Sequence, residues 1–350
     1  MIQELREIQR QFGATDLTEN ESIINSFGND VEGFKMAYDR AVVCDRSHWG
    51  LLKLAGDDRL RFLHNQTTNN INTLKPGLAC DTVFVNSTGR IIDLATAYVT
   101  NDSILILVSP NRRHFLIEWM ERYIFPMDKV KITDISEENT VFTLIGSECT
   151  KYLKEGGIND LAELLPENHC LTTMGETSIR IAVGSGLAIP GYTLIVPSNQ
   201  VKTVWEQLMR LKIIPVGERV WEQLRIRQGR PVCDQELTED YNPLEAGLWQ
   251  AISLNKGCYI GQETIARLNT YKGVKQRLWG VKLSQEITPE TPIISNGKKI
   301  GVLTSCTKID QDFLGLAYIS TKAGGVGLNI QIGKAIGQVV KVPFLTHEYY

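Results

Sequence analysis

The chain has 350 residues, too many for one ordinary hydrophobic core, so two or three domains are expected. Hydrophobic residues make up 43% and charged residues 22%, the balance of a globular chain that folds in water, and the net charge of −3 gives no bulk attraction to nucleic acid or to an acidic membrane. No apolar run approaches the ~18 residues that span a bilayer. The opening MIQELREIQRQF carries Glu4 and Glu7 and lacks the apolar centre of a signal peptide, which points to the cytoplasm, or to an organelle if a transit peptide precedes this sequence.

In chain order, residues 1–40 read as helical and 41–44 as extended. WGLLKLAG (49–56) reads as a strand and DDRLRFLHNQ (57–66) as a helix, with Leu60, Leu63 and His64 at helical spacing. LACDTVFVN (78–86), GRIIDLATAYVT (89–100) and SILILVSPN (103–111) follow as a meander of antiparallel hairpins. HFLIEWMERYIF (114–125) is a helix stopped by Pro126, and strands follow at 129–135 and 140–146. A helix after Gly146 ends at Gly156–Gly157, which suits a glycine C-terminal cap. Strands near 170–183 and 191–196 then precede helices at 199–211 and 217–229. The order is mixed α+β, with hairpins in place of regular βαβ units. From Gln276 onward the chain turns to short β-rich runs punctuated by Gly and Pro, the texture of a small β-barrel or sandwich. The expected domains are therefore 1–272, itself divided near 50 and 140, and 273–350.

Seven cysteines and five histidines are scattered without CxxC or metal-ligand spacing, so neither a disulfide framework nor a structural metal site is expected. Residues 256–263, Lys-Gly-Cys-Tyr-Ile-Gly-Gln-Glu, stand apart. Gly257 and Gly261 around a thiol and an aromatic ring predict a bent loop, because glycine enters left-handed conformations cheaply. Gln262 and Glu263 begin a helix, which places Cys258 ahead of a helix N-terminus and beside the ammonium of Lys256. The plain alternative is a small buried cysteine beneath a tight turn.

KGCYIGQE followed by Ala266-Arg267 resembles the signature of the YgfZ-type folate-binding proteins, paralogues of the glycine-cleavage T-protein, an aminomethyltransferase. The resemblance runs through LRFLHNQTTNNI (60–71), NSTGRIIDLATAY (86–98), LRIRQGRPV (224–232), NPLEAGL (242–248) and the C-terminal runs GKKIGVLTSC, LGLAYI and VKVPF. It implies an α+β, three-part cloverleaf: two mixed α+β domains, one discontinuous in sequence, around a tetrahydrofolate cavity, plus a C-terminal β-barrel. For YgfZ-type proteins it further implies support of iron–sulfur enzymes, tRNA-modifying ones included. For T-proteins it implies aminomethyl transfer to tetrahydrofolate. A third reading is a folate-binding scaffold without catalysis.

A reduced pterin offers adjacent N–H donors that one carboxylate accepts. Asp93, between Ile92 and Leu94, is the candidate, with the polar face of an alternating strand as its plain reading. Arg227, Arg230, Lys256 and Arg267 are the cations available to an anionic folate tail, and Asn111 and Tyr259 offer a hydrogen bond and a stacking face. Cys258 is the candidate reactive residue and Asp93 its alternative; Gly257, Gly261, Gln262 and Glu263 complete the expected cofactor loop. Two departures separate this chain from T-proteins. Leu94 follows Asp93 where they carry a second acidic residue, and Arg227 stands where they carry a glutamate. Expected partners are iron–sulfur client enzymes or assembly factors, met transiently by a monomer, with no nucleic acid, no membrane and no bound metal. Four ligands of an iron–sulfur cluster are nowhere gathered in the sequence.

Overall fold

The structure, a computed structural model, describes residues 2–18, 23–159, 161 and 164–349. The elements begin with α1 (Ile2–Gln11), β1 (Asp16–Leu17), β2 (Ile24–Ser26), α2 (Asp30–Asp39), β3 (Val42–Asp45), β4 (Gly50–Ala55) and α3 (Arg59–Gln66). Next come β5 (Ala79–Val85), β6 (Ile91–Val99), β7 (Ser103–Val108), α4 (Arg113–Glu121), β8 (Lys131–Asp134), β9 (Asn139–Ile145) and α5 (Cys149–Glu155). Then follow β10 (His169–Met174), β11 (Thr177–Val183), β12 (Gly191–Pro197), α6 (Val201–Arg210), β13 (Ile214–Val216), α7 (Glu218–Gln228) and α8 (Gln262–Thr270). The last six strands are β14 (Gln276–Leu283), β15 (Pro292–Ser295), β16 (Lys298–Ile309), β17 (Asp312–Ser320), β18 (Asn329–Ile332) and β19 (Ala335–Val340).

The chain forms two units that interleave in sequence. The first comprises Met1–Arg59, Leu74–Ala79 and Ala97–Glu222. Its larger sheet runs in the order β10-β11-β12-β9-β3-β13. In the same unit β4 lies between β7 and β8, antiparallel to both. The helix α6 buries Val201, Val204, Trp205 and Leu208, an i, i+3, i+4, i+7 stripe. That stripe joins Leu5 and Ile8 of α1 and Phe142, Leu144, Leu194 and Val196 of the sheet in one core.

The second unit comprises Leu60–Thr73, Cys80–Thr96 and Gln223–Tyr350. Its last six strands close into a barrel in the order β14-β17-β16-β15-β18-β19. Closure pairs β14 with β19 and leaves no free edge to template aggregation. The barrel interior is aliphatic, with Val281, Ile293, Leu303, Ile319, Ile332 and Val339. A second core in this unit joins Val83, Val85, Ile91 and Leu94 of the β5–β6 hairpin to Leu244, Leu248, Trp249, Ile252, Ile265, Leu278 and Leu316. This core seats the segment that leads into residues 256–263.

Three expectations need correction. Residues 1–40 are not continuously helical: β1 and β2 pair antiparallel between two ten-residue helices. The helix α4 ends at Glu121, well before Pro126: beyond it Tyr123 N and Ile124 N turn back to the Met120 and Glu121 carbonyls, and the Phe125 N–H is taken by the Asp128 carboxylate. The sheets are not built of hairpins alone, since β13 lies parallel to β3. A three-residue parallel edge strand is too short to show a periodicity in sequence.

Candidate functional site

The site is built on the second unit from three pieces: the turn after α3, the β5–β6 hairpin and the loop 251–263. The turn after α3 is held by its own threonines and asparagine. The Thr67 hydroxyl donates to the Leu63 carbonyl at 2.9 Å, and the Thr68 hydroxyl donates to Ala251 O at 2.7 Å while accepting from Val83 N at 3.0 Å. Asn69 bridges to β5, donating from Nδ2 to Asp81 O at 2.8 Å and from its backbone to Thr82 Oγ1 at 2.9 Å. These bonds aim the carbonyls of His64, Thr67 and Asn69 at one point.

Lys256 Nζ occupies that point. It donates to Thr67 O at 2.6 Å, to Asn69 O at 2.7 Å and to His64 O, so each ammonium hydrogen meets a carbonyl. The Tyr259 ring lies beneath it, 4.7 Å from nitrogen to ring centroid. Burial pushes the lysine down to about 7, the neighbouring Cys80 acting in the opposite sense. The His64 imidazole is lowered as well, by its burial and by the Lys256 charge. Burial raises the Tyr259 phenol to about 12.

Loop 251–263 is fastened at further points. Ser253 N donates to Thr68 O and Ile260 N to Asn65 O, each at 3.0 Å. Gln262 locks the turn with its side chain, accepting from Tyr259 N at 3.2 Å. Gly261 has φ 77° and lies against the tip of the β5–β6 hairpin. A Cβ placed there would stand 2.6 Å from Asn86 O and 2.9 Å from Gly89 N and Cα. Gly89, at φ 74°, faces it across the contact. Asn86 fixes that tip by accepting from Thr88 N and Arg90 N at 3.0 Å.

Cys258 is presented by this framework and is exposed, whereas the other six cysteines are buried or half-buried. It lies four residues before α8, outside the first turn in which a helix dipole acts. Two expectations about the loop are therefore corrected. The Lys256 ammonium is spent on backbone carbonyls and is directed neither at the thiol nor at a folate tail. Of the two glycines, Gly261 alone adopts the left-handed conformation; at Gly257 an added Cβ meets only His64 Nε2, at 3.7 Å.

Asp93 is the third residue of β6, a strand buried almost throughout, and is itself 0% exposed. It is not on the polar face of an alternating strand. Its Oδ1 accepts from the Cys233 thiol at 3.0 Å. A ligand reaches this carboxylate only after the side chains around it move. Among the expected cations, Arg227 and Arg267 are exposed, whereas Arg230 is buried with its guanidinium 5.4 Å from the Phe344 ring centroid and so is not available to an anionic tail. Glu263 is exposed in the first turn of α8, where a carboxylate suits the helix dipole. Asn111 is exposed and left-handed at φ 62° in the first unit, between β7 and α4.

Sequence reasoning passed over the residues that build the framework. His64, Thr67 and Asn69 hold Lys256 through backbone oxygens, which no side-chain motif marks. Cys233 is a lone cysteine 140 positions from the carboxylate it touches. Arg225 and Glu236 form a fully buried ion pair at 3.1 Å, and Ser305 of β16 bonds to both side chains. The Tyr318 hydroxyl donates to Glu236 O at 2.9 Å, and the Tyr318 ring stacks on Tyr241 at 3.5 Å. A Cys, Arg or Tyr in these positions carries a sequence signal only when its distant partner is known.

Mixed α+β units with a closed six-stranded C-terminal barrel define an aminomethyltransferase-like fold. The structure superposes on the glycine cleavage system aminomethyltransferase T from Bartonella henselae with a TM-score of 0.86, over 99% of this chain and 98% of that one, at 18% identity. Residues 25–256 match the GCVT N-terminal domain, and the chain belongs to that family. Over 94% of its length it is 42% identical to At1g60990, a chloroplastic protein of Arabidopsis thaliana with a provisional transferase name, of which the match covers 77%. It is also 28% identical to the aminomethyltransferase of a Picosynechococcus strain, across 86% of this chain and 85% of that protein. Among the described residues no helix is long and apolar enough to cross a membrane, and no group of three or more His, Cys, Asp or Glu is placed to hold a metal ion.

Proposed function

We propose that this chain binds a tetrahydrofolate and, through Cys258, supports the assembly or repair of iron–sulfur enzymes, tRNA-modifying enzymes among them. The carrying observation is the presentation of that thiol. An exposed cysteine on a loop fastened by a caged lysine, two backbone hydrogen bonds and a glycine–glycine contact is poorly explained by packing, since structural cysteines are buried. The family assignment supports the folate, with residues 1–272 as the binding region and 273–350 as the barrel domain. Exposed Arg267 of α8 and exposed Arg227 of α7 are the candidate cations for the anionic tail. Client enzymes meet Cys258 transiently, with the chain acting as a monomer in the cytoplasm or in an organelle; the chloroplastic relative favours the latter.

The test is a titration of reduced folates against the purified protein, followed by tryptophan fluorescence, with a C258S variant beside the wild type. Cys258 is exposed, so C258S changes stability by no more than ~0.5 kcal/mol. It keeps folate binding and loses support of iron–sulfur enzymes in cells lacking the native protein. Absence of saturable binding below about 1 mM, a binding free energy of only ~4 kcal/mol, refutes the folate reading.

A second reading, folate-dependent aminomethyl transfer, draws on the named aminomethyltransferase relatives and on Asp93. It requires the buried Asp93–Cys233 pair to open. In a transfer assay with a lipoylated partner, D93N then loses more activity than C258S; the favoured reading predicts no transfer from either or from the wild type.

A further inference from the structure

The Lys256 side chain crosses from the loop that carries Cys258 to the turn after α3, and among the described residues every polar partner it has is a backbone carbonyl. Three acceptors arranged about one nitrogen fit an ammonium, which has three hydrogens, and do not fit a neutral amine, which has two. The planar guanidinium of arginine cannot point hydrogens at three carbonyls around one nitrogen either. The cage lies two residues from Cys258. On either side of it, Ser253 hydrogen-bonds to Thr68 O of that turn and Ile260 to Asn65 O in the last turn of α3. Removing a hydrogen from the cage therefore leaves a carbonyl without a donor at the fastening point of the thiol loop.

We propose that Lys256 is the positioning residue of Cys258, a clamp that holds the thiol loop on the α3 turn while its amine is protonated and loosens the loop when it is not. This rests on the reading that Cys258 is the functional thiol, and it assigns Lys256 no contact with folate. The groups facing the amine are His64 and the carbonyls of the α3 turn, Cys80 of β5, and the Tyr259 ring of its own loop. None of these is a carboxylate, and Cys80 is the one neighbour whose charge favours the protonated amine. Burial draws the lysine down to about 7, which places the release in the neutral range.

The test uses the full-length protein without folate, so its result is independent of whether folate binds. Hydrogen exchange is followed at the Ile260 and Ser253 amides from pH 6 to 9 and expressed relative to the Thr68 amide, which bonds to Val83 within the hairpin side of the same unit. Alkylation of Cys258 by iodoacetamide is read on its own peptide by mass spectrometry over the same range. In the wild type the relative protection of Ile260 falls about tenfold or more as pH rises through neutrality, and the alkylation profile carries a second inflection there besides that of the thiol. K256M and K256R show low, pH-independent relative protection and a single inflection. Wild-type protection and two inflections in K256M overturn the proposal. Should K256M fail to fold, the wild-type profile decides alone: relative protection that stays flat from pH 6 to 9 overturns it.

Discussion

Replacing Gly261 by alanine tests the framework most directly, because Gly257 in the same eight residues is its control. At Gly261 the backbone is left-handed, at φ 77°, which costs a residue with a Cβ about 1–2 kcal/mol. The new methyl group also stands 2.6 Å from Asn86 O and 2.9 Å from two Gly89 atoms. These are backbone atoms of a hairpin tip pinned by the Asn86 side chain, so they cannot swing aside as a side chain would, and overpacking adds ~1–3 kcal/mol. The expected loss for G261A is thus about 2–5 kcal/mol. For G257A the backbone is not left-handed and the nearest foreign atom is at 3.7 Å, an ordinary contact, so the change stays within ~1 kcal/mol of zero. Thermal unfolding followed by tryptophan fluorescence separates the two. Trp249 lies in the core that seats this loop, and at roughly 2–4 °C per kcal/mol G261A unfolds some 4–20 °C below the wild type. Equal shifts for the two variants, or a G261A shift under ~1 °C, refute the reasoning.

The buried pair of Arg225 and Glu236 gives a second test: R225M strands a carboxylate that is 0% exposed and costs about 3–5 kcal/mol in urea unfolding, most of it recovered in the R225M/E236Q double variant. Stability also depends on acid through His169. Arg180 donates to its Nδ1 at 2.9 Å, and burial with that guanidinium lowers the imidazole from 6.5 to about 4. The unfolded chain therefore binds the proton first, so this contribution is complete above about pH 6.5, declines as pH falls and is lost by about pH 4, on the order of 3 kcal/mol in all. Melting temperatures measured from pH 7 to 4 should fall less steeply for H169Q than for the wild type, although His48 and His347, lowered by burial in the same way, keep some slope in both.

Much of the architecture is legible without coordinates. Strands such as β7 and β9, the amphipathic α6 and the barrel repeats depend on neighbours a few positions away, and local spacing reports them. The loop 256–263 is legible for the same reason, since a thiol, an aromatic ring and two glycines within eight residues form a short-range pattern; the T-protein-like stretches elsewhere in the chain pointed to the broader family that residues 25–256 match. Tertiary structure alone decided what those residues do. Whether Gly261 or Gly257 needs to be glycine depends on a hairpin tip more than 170 positions away. Asp93 is sealed because β6 is covered on both faces, and its alternation with apolar neighbours carries no trace of that. The role of Lys256 was the least legible, because its partners are main-chain oxygens. Every residue has a carbonyl, so only the path of the backbone through space selects the three that converge on one ammonium.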